Sequence, residues 1–220
     1  MSPAFDPALA RRIETTGIVA VLVVDRAGDG VPLAKALLAG GVDVMELTLR
    51  TPAAIETLKA IRAGVPEMVA GVGTILTTDQ VKQVVEAGAA FGVAPGLNPR
   101  VMQAAREAGL SFAPGILTPS DIEAAVELGC KLLKFFPAEP SPGLVYLKAM
   151  AAPYAHLGLK FVPLGGLNSK NMASYLADPI IAALGGSWLA PRELIKAGAW
   201  DKITALASEA VQIIKSTRQK

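Results

Sequence analysis

Short apolar runs alternate along the chain with stretches in which apolar residues recur at helical spacing. The runs Gly17 to Val24, Asp43 to Arg50, Met68 to Thr74, Phe91 to Leu97, Ser111 to Leu117, Lys131 to Ala138, Lys160 to Leu167 and Ile181 to Trp188 read as buried strands. Between them, Val31 to Gly40 has a proline near its start and a glycine at its end, as helices favour. Thr78 to Gly88 and Thr118 to Gly129 each open on capping side chains and close on glycine. Helix, glycine and strand recur at roughly 20–30 residues, the length of one βα unit. Eight such strands imply an α/β fold, a closed (β/α)₈ or TIM barrel, forming a single domain over residues 1–220. Asp6 to Thr16 is expected to be an extra N-terminal helix that plugs the barrel bottom. No Gly-x-Gly-x-x-Gly follows the first strand, which argues against a dinucleotide-binding open sheet.

Two strands break their own apolar pattern. In Lys131-Leu132-Leu133-Lys134-Phe135-Phe136-Pro137 a lysine stands among leucines and phenylalanines. Alternation places Lys134 inward with Leu132 and Phe136. A buried ammonium is costly unless it is paired or gives up its proton, and an unprotonated amine is a nucleophile toward carbonyls. The plainer alternative is a lysine that snorkels to the rim. In Met45-Glu46-Leu47-Thr48-Leu49-Arg50 the polar residues share one parity and the apolar ones the other, so Glu46, Thr48 and Arg50 face the interior. They form either a structural Glu–Arg ion pair or a working site, since barrel interiors concentrate functional charge at the carboxyl ends of strands.

Other strand ends supply further candidates. Thr74 puts a hydroxyl at the rim, or else serves as a turn or cap residue. Pro95-Gly96 and Pro114-Gly115 form turns that shape the pocket wall. Gly165-Gly166 and Gly185-Gly186-Ser187-Trp188 close the last two strands, where barrels bind phosphate through bare backbone N–H groups and a following short helix. Tight turns explain the same glycines equally simply, and Trp188 reads as packing.

Composition narrows the chemistry. With 21 basic against 19 acidic residues, nucleic acid is not an expected partner. One histidine, His156, in a helix-to-loop context, cannot build a zinc or iron site. The lone Cys130 reads as a small buried hydrophobe in a reducing compartment. No apolar run is long enough to span a bilayer and no secretory leader is visible, so a cytoplasmic location is expected. The terminal Lys215 to Lys220 run reads as a frayed, solvated tail.

Together, Glu46-x-Thr48-x-Arg50, Gly71-Val72-Gly73-Thr74, Pro95-Gly96, Lys134-Phe135-Phe136-Pro137-Ala138-Glu139, Gly165-Gly166 and Gly185-Gly186-Ser187-Trp188 resemble the 2-keto-3-deoxy-6-phosphogluconate aldolases of the Entner–Doudoroff pathway. The likeness runs in order along nearly the whole chain. It implies a (β/α)₈ homotrimer that needs no metal or cofactor and that acts on 2-keto acids and a phosphorylated aldehyde, often also on 4-hydroxy-2-oxoglutarate. It matches Lys134 to the Schiff-base lysine and Glu46 to the acid–base carboxylate. Arg50 and Thr74 match holders of the pyruvyl carboxylate, Pro95 and Phe136 the substrate-pocket wall, and Gly165, Gly166, Gly186 and Ser187 the phosphate corner. Where many members have Pro-Thr-Gly-Gly, this chain has Pro163-Leu164-Gly165-Gly166. That departure implies an altered aldehyde or phosphate preference. The alternatives are a non-catalytic phosphosugar-binding barrel, or a phosphosugar isomerase or epimerase that forms no covalent adduct.

Overall fold

A computed structural model of the protein describes residues 4–218. The strands are β1 (Ile18–Leu22), β2 (Val44–Thr48), β3 (Val69–Gly73), β4 (Gly92–Val93), β5 (Phe112–Ala113), β6 (Gly115–Ile116), β7 (Leu132–Phe135), β8 (Lys160–Pro163) and β9 (Leu184–Gly186). The helices are α1 (Pro7–Thr16), α2 (Gly30–Ala39), α3 (Ala54–Gly64), α4 (Thr78–Glu86), α5 (Pro99–Glu107), α6 (Pro119–Glu127), α7 (Gly143–Ala151), α8 (Met172–Leu176), α9 (Arg192–Lys196) and α10 (Trp200–Arg218). Local chemistry sets their ends. Asp6 caps α1 by accepting from the Leu9 N–H, Pro7 follows it, and Gly17 ends the helix at a left-handed φ of 73°. Thr77 with Gln80, and Thr118 with Asp121, close reciprocal capping boxes on α4 and α6.

All eight expected strand regions are present, each shorter than its apolar run, and every pairing is parallel. They do not form one continuous ladder. A curled six-stranded sheet runs β5-β4-β3-β2-β1-β9, and a three-stranded sheet runs β6-β7-β8. The expected fifth strand is divided into β5 and β6 at Pro114, which has no N–H to give to a ladder. Its carbonyl still accepts from the Lys134 N–H at 2.9 Å. At the other junction, single bridges Phe161–Ile181 and Leu164–Gly185 join β8 to the region of β9.

Strand parity sorts the apolar side chains into two layers. Ile18, Ala20, Leu22, Met45, Leu47, Leu133 and Phe135 pack outward beneath the helices. Val19, Val44, Val93, Leu132, Val162 and Leu164 pack inward, where Phe5 and Ile13 of the N-terminal segment join them. The expected plug therefore exists. Full burial of each large side chain contributes about 1.5–3 kcal/mol. Cys130 is buried, and burial pushes its thiol up to about 11, with Arg106 pulling weakly the other way. His156 is exposed in a short 3₁₀ segment. No helix among the described residues is long and apolar enough to cross a membrane.

The C-terminal tail departs from expectation. The last helix α10 continues to Arg218, with Gln219 and Lys220 outside the described residues. Arg218 is half-buried, which lowers the pKa of its guanidinium. It donates to the carbonyls of Glu14, Ile181 at 3.2 Å and Ala182 at 2.6 Å. The residue type suggested solvent, but unpaired carbonyls below the sheet recruit its donors. Arg218→Ala is expected to cost about 2–3 kcal/mol, lowering the thermal midpoint by about 5–10 °C. A melt unchanged from wild type refutes the latch.

Candidate active site

The site is built on β2 and β7. Register places Lys134 beside Gly115 of β6 and Val162 of β8, so backbone ladders hold its Cα on both sides. Its side chain points inward, as parity required, and Lys134 is 7 % exposed while Glu46 is 3 % exposed. The Lys134 Nζ lies 3.2 Å from Glu46 Oε1 and 3.5 Å from Oε2. A buried ion is tolerable only with such a partner. The Glu46–Arg50 pair that strand parity also allowed does not form; the carboxylate is bound to the lysine instead.

Below the pair the wall is apolar. Phe5, Ile13, Val19, Phe91, Leu132 and Val162 line, with Lys134 and Glu46, an internal cavity of about 30 Å³, room for a water molecule. The α1 plug thus keeps bulk water from the lower side of the amine. On the upper side stands Phe136, whose ring centroid is 5.8 Å from Lys134 Nζ and which is 37 % exposed. The amine is therefore approached from the carboxyl ends of the strands.

Glu46 needs space that a neighbour gives up. Beyond Val69, the inward positions of β3 are Gly71 and Gly73, paired with Glu46 and Thr48 of β2. A Cβ on Gly73 would lie 1.7 Å from Glu46 Oε1, and one on Gly71 would lie 2.3 Å from the Phe91 ring. Neighbouring side chains fill the face these glycines leave empty. Sequence reasoning did not assign this role to Gly73. Its signal was present as glycine at two successive inward positions beside a strand with an inward carboxylate.

Thr48 is buried and donates to the Leu22 carbonyl at 2.9 Å, while accepting from Arg50 Nε at 3.2 Å. Arg50 lies just beyond β2, exposed, with no carboxylate partner among the described residues. Thr74 lies just beyond the adjacent β3, at φ 62°, the one described non-glycine residue in the left-handed region. Both leave from the same rim. Left-handed backbone at a β-branched residue costs about 1–3 kcal/mol and persists where a site requires it.

Pro95 is half-buried after β4, and Gly115 approaches it so closely that a Cβ would sit 2.1 Å from its carbonyl oxygen. Gly165 and Gly166 follow β8 at φ 100° and 81°, a conformation that favours glycine. The second glycine pair is less bare than expected. A Cβ on Gly185 would lie 2.2 Å from Leu164 Cγ, and one on Gly186 would lie 2.1 Å from the Trp188 ring. Close packing accounts for these two glycines, and Trp188 packs as expected. Ser187 is exposed at the rim. The helices that follow, α8 and α9, span five residues each.

Comparison with known proteins identifies the family. The family model of KDPG and KHG aldolases matches residues 9–206. The chain belongs to that family. It is 44 % identical over 204 residues to a KHG/KDPG aldolase of Escherichia coli K12, covering 92 % of this chain and 95 % of that protein. It is 42 % identical over 202 residues to a 2-dehydro-3-deoxy-phosphogluconate aldolase of Treponema pallidum, covering 92 % and 95 %. Among solved structures, a KDPG aldolase from Legionella pneumophila with pyruvate captured at low pH as a covalent carbinolamine intermediate superposes at a TM-score of 0.87. That match has 37 % identity and covers 92 % of this chain and 97 % of the other.

Two adjacent positions of this aldolase-family chain should respond to mutation with opposite signs. Gly73→Ala must displace Glu46 or the strand and is expected to lose about 1–3 kcal/mol. Thr74→Gly relieves left-handed strain of about 1–3 kcal/mol against about 0.5–1 kcal/mol of added unfolded-state entropy, so stability holds or rises. Equilibrium unfolding of both variants checks the pair. A stabilised Gly73→Ala, or a Thr74→Gly destabilised by more than the entropy term, contradicts the account.

Proposed function

We propose that this protein is a class I aldolase, a carbon–carbon lyase that cleaves 2-keto-3-deoxy-6-phosphogluconate to pyruvate and glyceraldehyde 3-phosphate. 4-Hydroxy-2-oxoglutarate is a second substrate. The observation that carries the reading is a primary amine buried within 3.2 Å of a buried carboxylate and reachable from the rim past Phe136. Lys134, after passing a proton to Glu46, adds to the keto carbon to give a carbinolamine. Glu46 returns the proton as the hydroxyl leaves as water, and a protonated imine results. Glu46, carboxylate once more, takes the proton from the C4 hydroxyl. The C3–C4 bonding pair then flows into the imine, releasing the aldehyde and leaving an enamine. Protonation at C3 and hydrolysis give pyruvate and free Lys134. The imine supplies the electron sink, so no metal is required.

The remaining roles follow from position. Arg50, with no carboxylate partner among the described residues, clamps the pyruvyl carboxylate in the bidentate fashion its guanidinium allows. Thr74 helps to hold the same carboxylate, while Pro95 and Phe136 form the walls. Gly165, Gly166, Gly186 and Ser187 receive the phosphate, with the left-handed Gly165–Gly166 backbone supporting the first part of that assignment. Leu164, buried and inward where many members carry threonine, shows the substrate an alkyl surface. It favours a related 2-keto-3-deoxy acid aldolase with a shifted aldehyde preference as the second reading. The same proposal takes residues 1–220 as one domain and joins the two sheets across Pro114 and the Leu164–Gly185 bridge into a closed (β/α)₈ barrel. It also includes a homotrimeric, cytoplasmic enzyme, supported by family membership.

Pyruvate with borohydride is expected to add a stable mass to Lys134, and Lys134→Ala to abolish labelling. Glu46→Gln should retain the fold and lose about 10²–10⁴ in kcat. Labelling on another lysine, or full turnover in Glu46→Gln, overturns the assignment. Binding of a sugar phosphate without trapping would indicate a non-catalytic barrel.

A further inference from the structure

The segment after β7 carries a carboxylate that the chemistry above does not use. Glu139 follows the cis Phe136–Pro137 bond and lies against the Gly165–Gly166 turn. Its N–H donates to the Gly165 carbonyl at 3.0 Å, and the neighbouring Ala138 N–H donates to the Leu164 carbonyl at 2.7 Å. The contact is tight, because a Cβ on Gly166 would lie 2.6 Å from Glu139 Cβ and 3.0 Å from its Cγ. The side chain is thus rooted beside the turn and exposed to solvent. Rotation about its own bonds is enough to swing the charge across the rim.

Something holds it. Tyr175 of α8 is 2 % exposed, and its hydroxyl donates to Glu139 Oε1 at 2.5 Å. The same hydroxyl interacts with the Leu144 backbone amide at the start of α7. Burial first, and then the Glu139 carboxylate, raise the Tyr175 pKa, so it remains a donor across the working pH range. The helix that carries Tyr175 follows the turn directly. Asn168 and Asn171 tie it back by donating to the Gly166 carbonyl at 3.3 and 3.2 Å. Turn, carboxylate and tyrosine therefore form one closed unit.

We infer that Glu139 and Tyr175 are a positioning pair that parks a negative charge away from the Gly165–Gly166 turn and so sets the preference of the enzyme for a phosphorylated over an unphosphorylated aldehyde end. The inference rests on the reading that this turn receives the phosphate. A carboxylate released beside a phosphate repels it, and a partly exposed like-charge pair weakens binding by about tenfold at moderate salt. The hydrogen bond prevents that release without touching the reacting carbons.

The test compares KM and kcat for 2-keto-3-deoxy-6-phosphogluconate and for 2-keto-3-deoxygluconate in wild type and variants. Tyr175→Phe removes one hydroxyl and frees the carboxylate. It should raise KM for the phosphorylated substrate about tenfold, with kcat and the KM of the unphosphorylated substrate little changed. Glu139→Asp keeps the charge but cannot reach Tyr175, and should act in the same direction. Glu139→Gln, and Glu139→Gln combined with Tyr175→Phe, carry no charge to release, so neither should raise KM for the phosphorylated substrate. An equal rise in the double variant, or an equal rise for both substrates, makes the contact merely structural and overturns the inference. A wild-type enzyme indifferent to the phosphate instead overturns the reading of the turn beneath it.

Discussion

The contact between Lys134 and Glu46 is the constraint around which the rest is arranged. Two opposite charges on the inner face of a curled sheet lose solvation worth several kcal/mol each, and only a close partner and a tight surround make that tolerable. Each neighbouring feature answers one part of this demand. Phe5 and Ile13 exclude water from below. Gly73 leaves the volume that the carboxylate fills. Ladders from β6 and β8 fix the lysine backbone so that the nitrogen, not the whole strand, carries the freedom of movement. A surface lysine would need none of these.

Stability and chemistry are thereby separated along the strand direction. At the amino ends the N-terminal helix, the inner apolar layer and Arg218 close the structure with burial and satisfied carbonyls. At the carboxyl ends the chain accepts features that cost stability: a threonine in left-handed backbone, an arginine with no carboxylate partner among the described residues, an exposed phenylalanine. Strained and unpaired groups of this kind concentrate at functional rims, while the opposite ends of the strands carry stability.

Much of this was legible in the sequence because alternation is a strict rule in strands. Two-residue periodicity alone placed Glu46 and Lys134 inward and Leu133 and Phe135 outward, and each lies where that alternation puts it. Helix ends were partly legible for a similar reason, since caps act over a few residues: Thr118 caps α6 as read, whereas the α4 cap is Thr77, one residue before the Thr78 at which that helix was expected to open. What escaped were properties set by partners distant in sequence. The division of the fifth strand depends on how Pro114 and Gly115 meet Pro95. The docking of Arg218 depends on carbonyls more than 30 residues away along the chain. Gly185 looked like a bare phosphate-binding turn, yet Leu164 occupies the space beside it, and only coordinates distinguish these uses of the same residue.

Leu164 connects these levels. Its backbone N–H donates to Phe135, its carbonyl accepts from Ala138, and its side chain packs inward over Gly185. One residue therefore bridges the two sheets, anchors the segment that follows Lys134 and presents an alkyl group to the chamber. A hydroxyl at that position would need a hydrogen-bond partner, which a bound substrate can provide, whereas a leucine contributes apolar packing whether or not substrate is present. The exchange shifts a contribution from recognition toward stability. The Lys134–Glu46 contact itself involves no atom of Leu164, so the exchange leaves that pair in place.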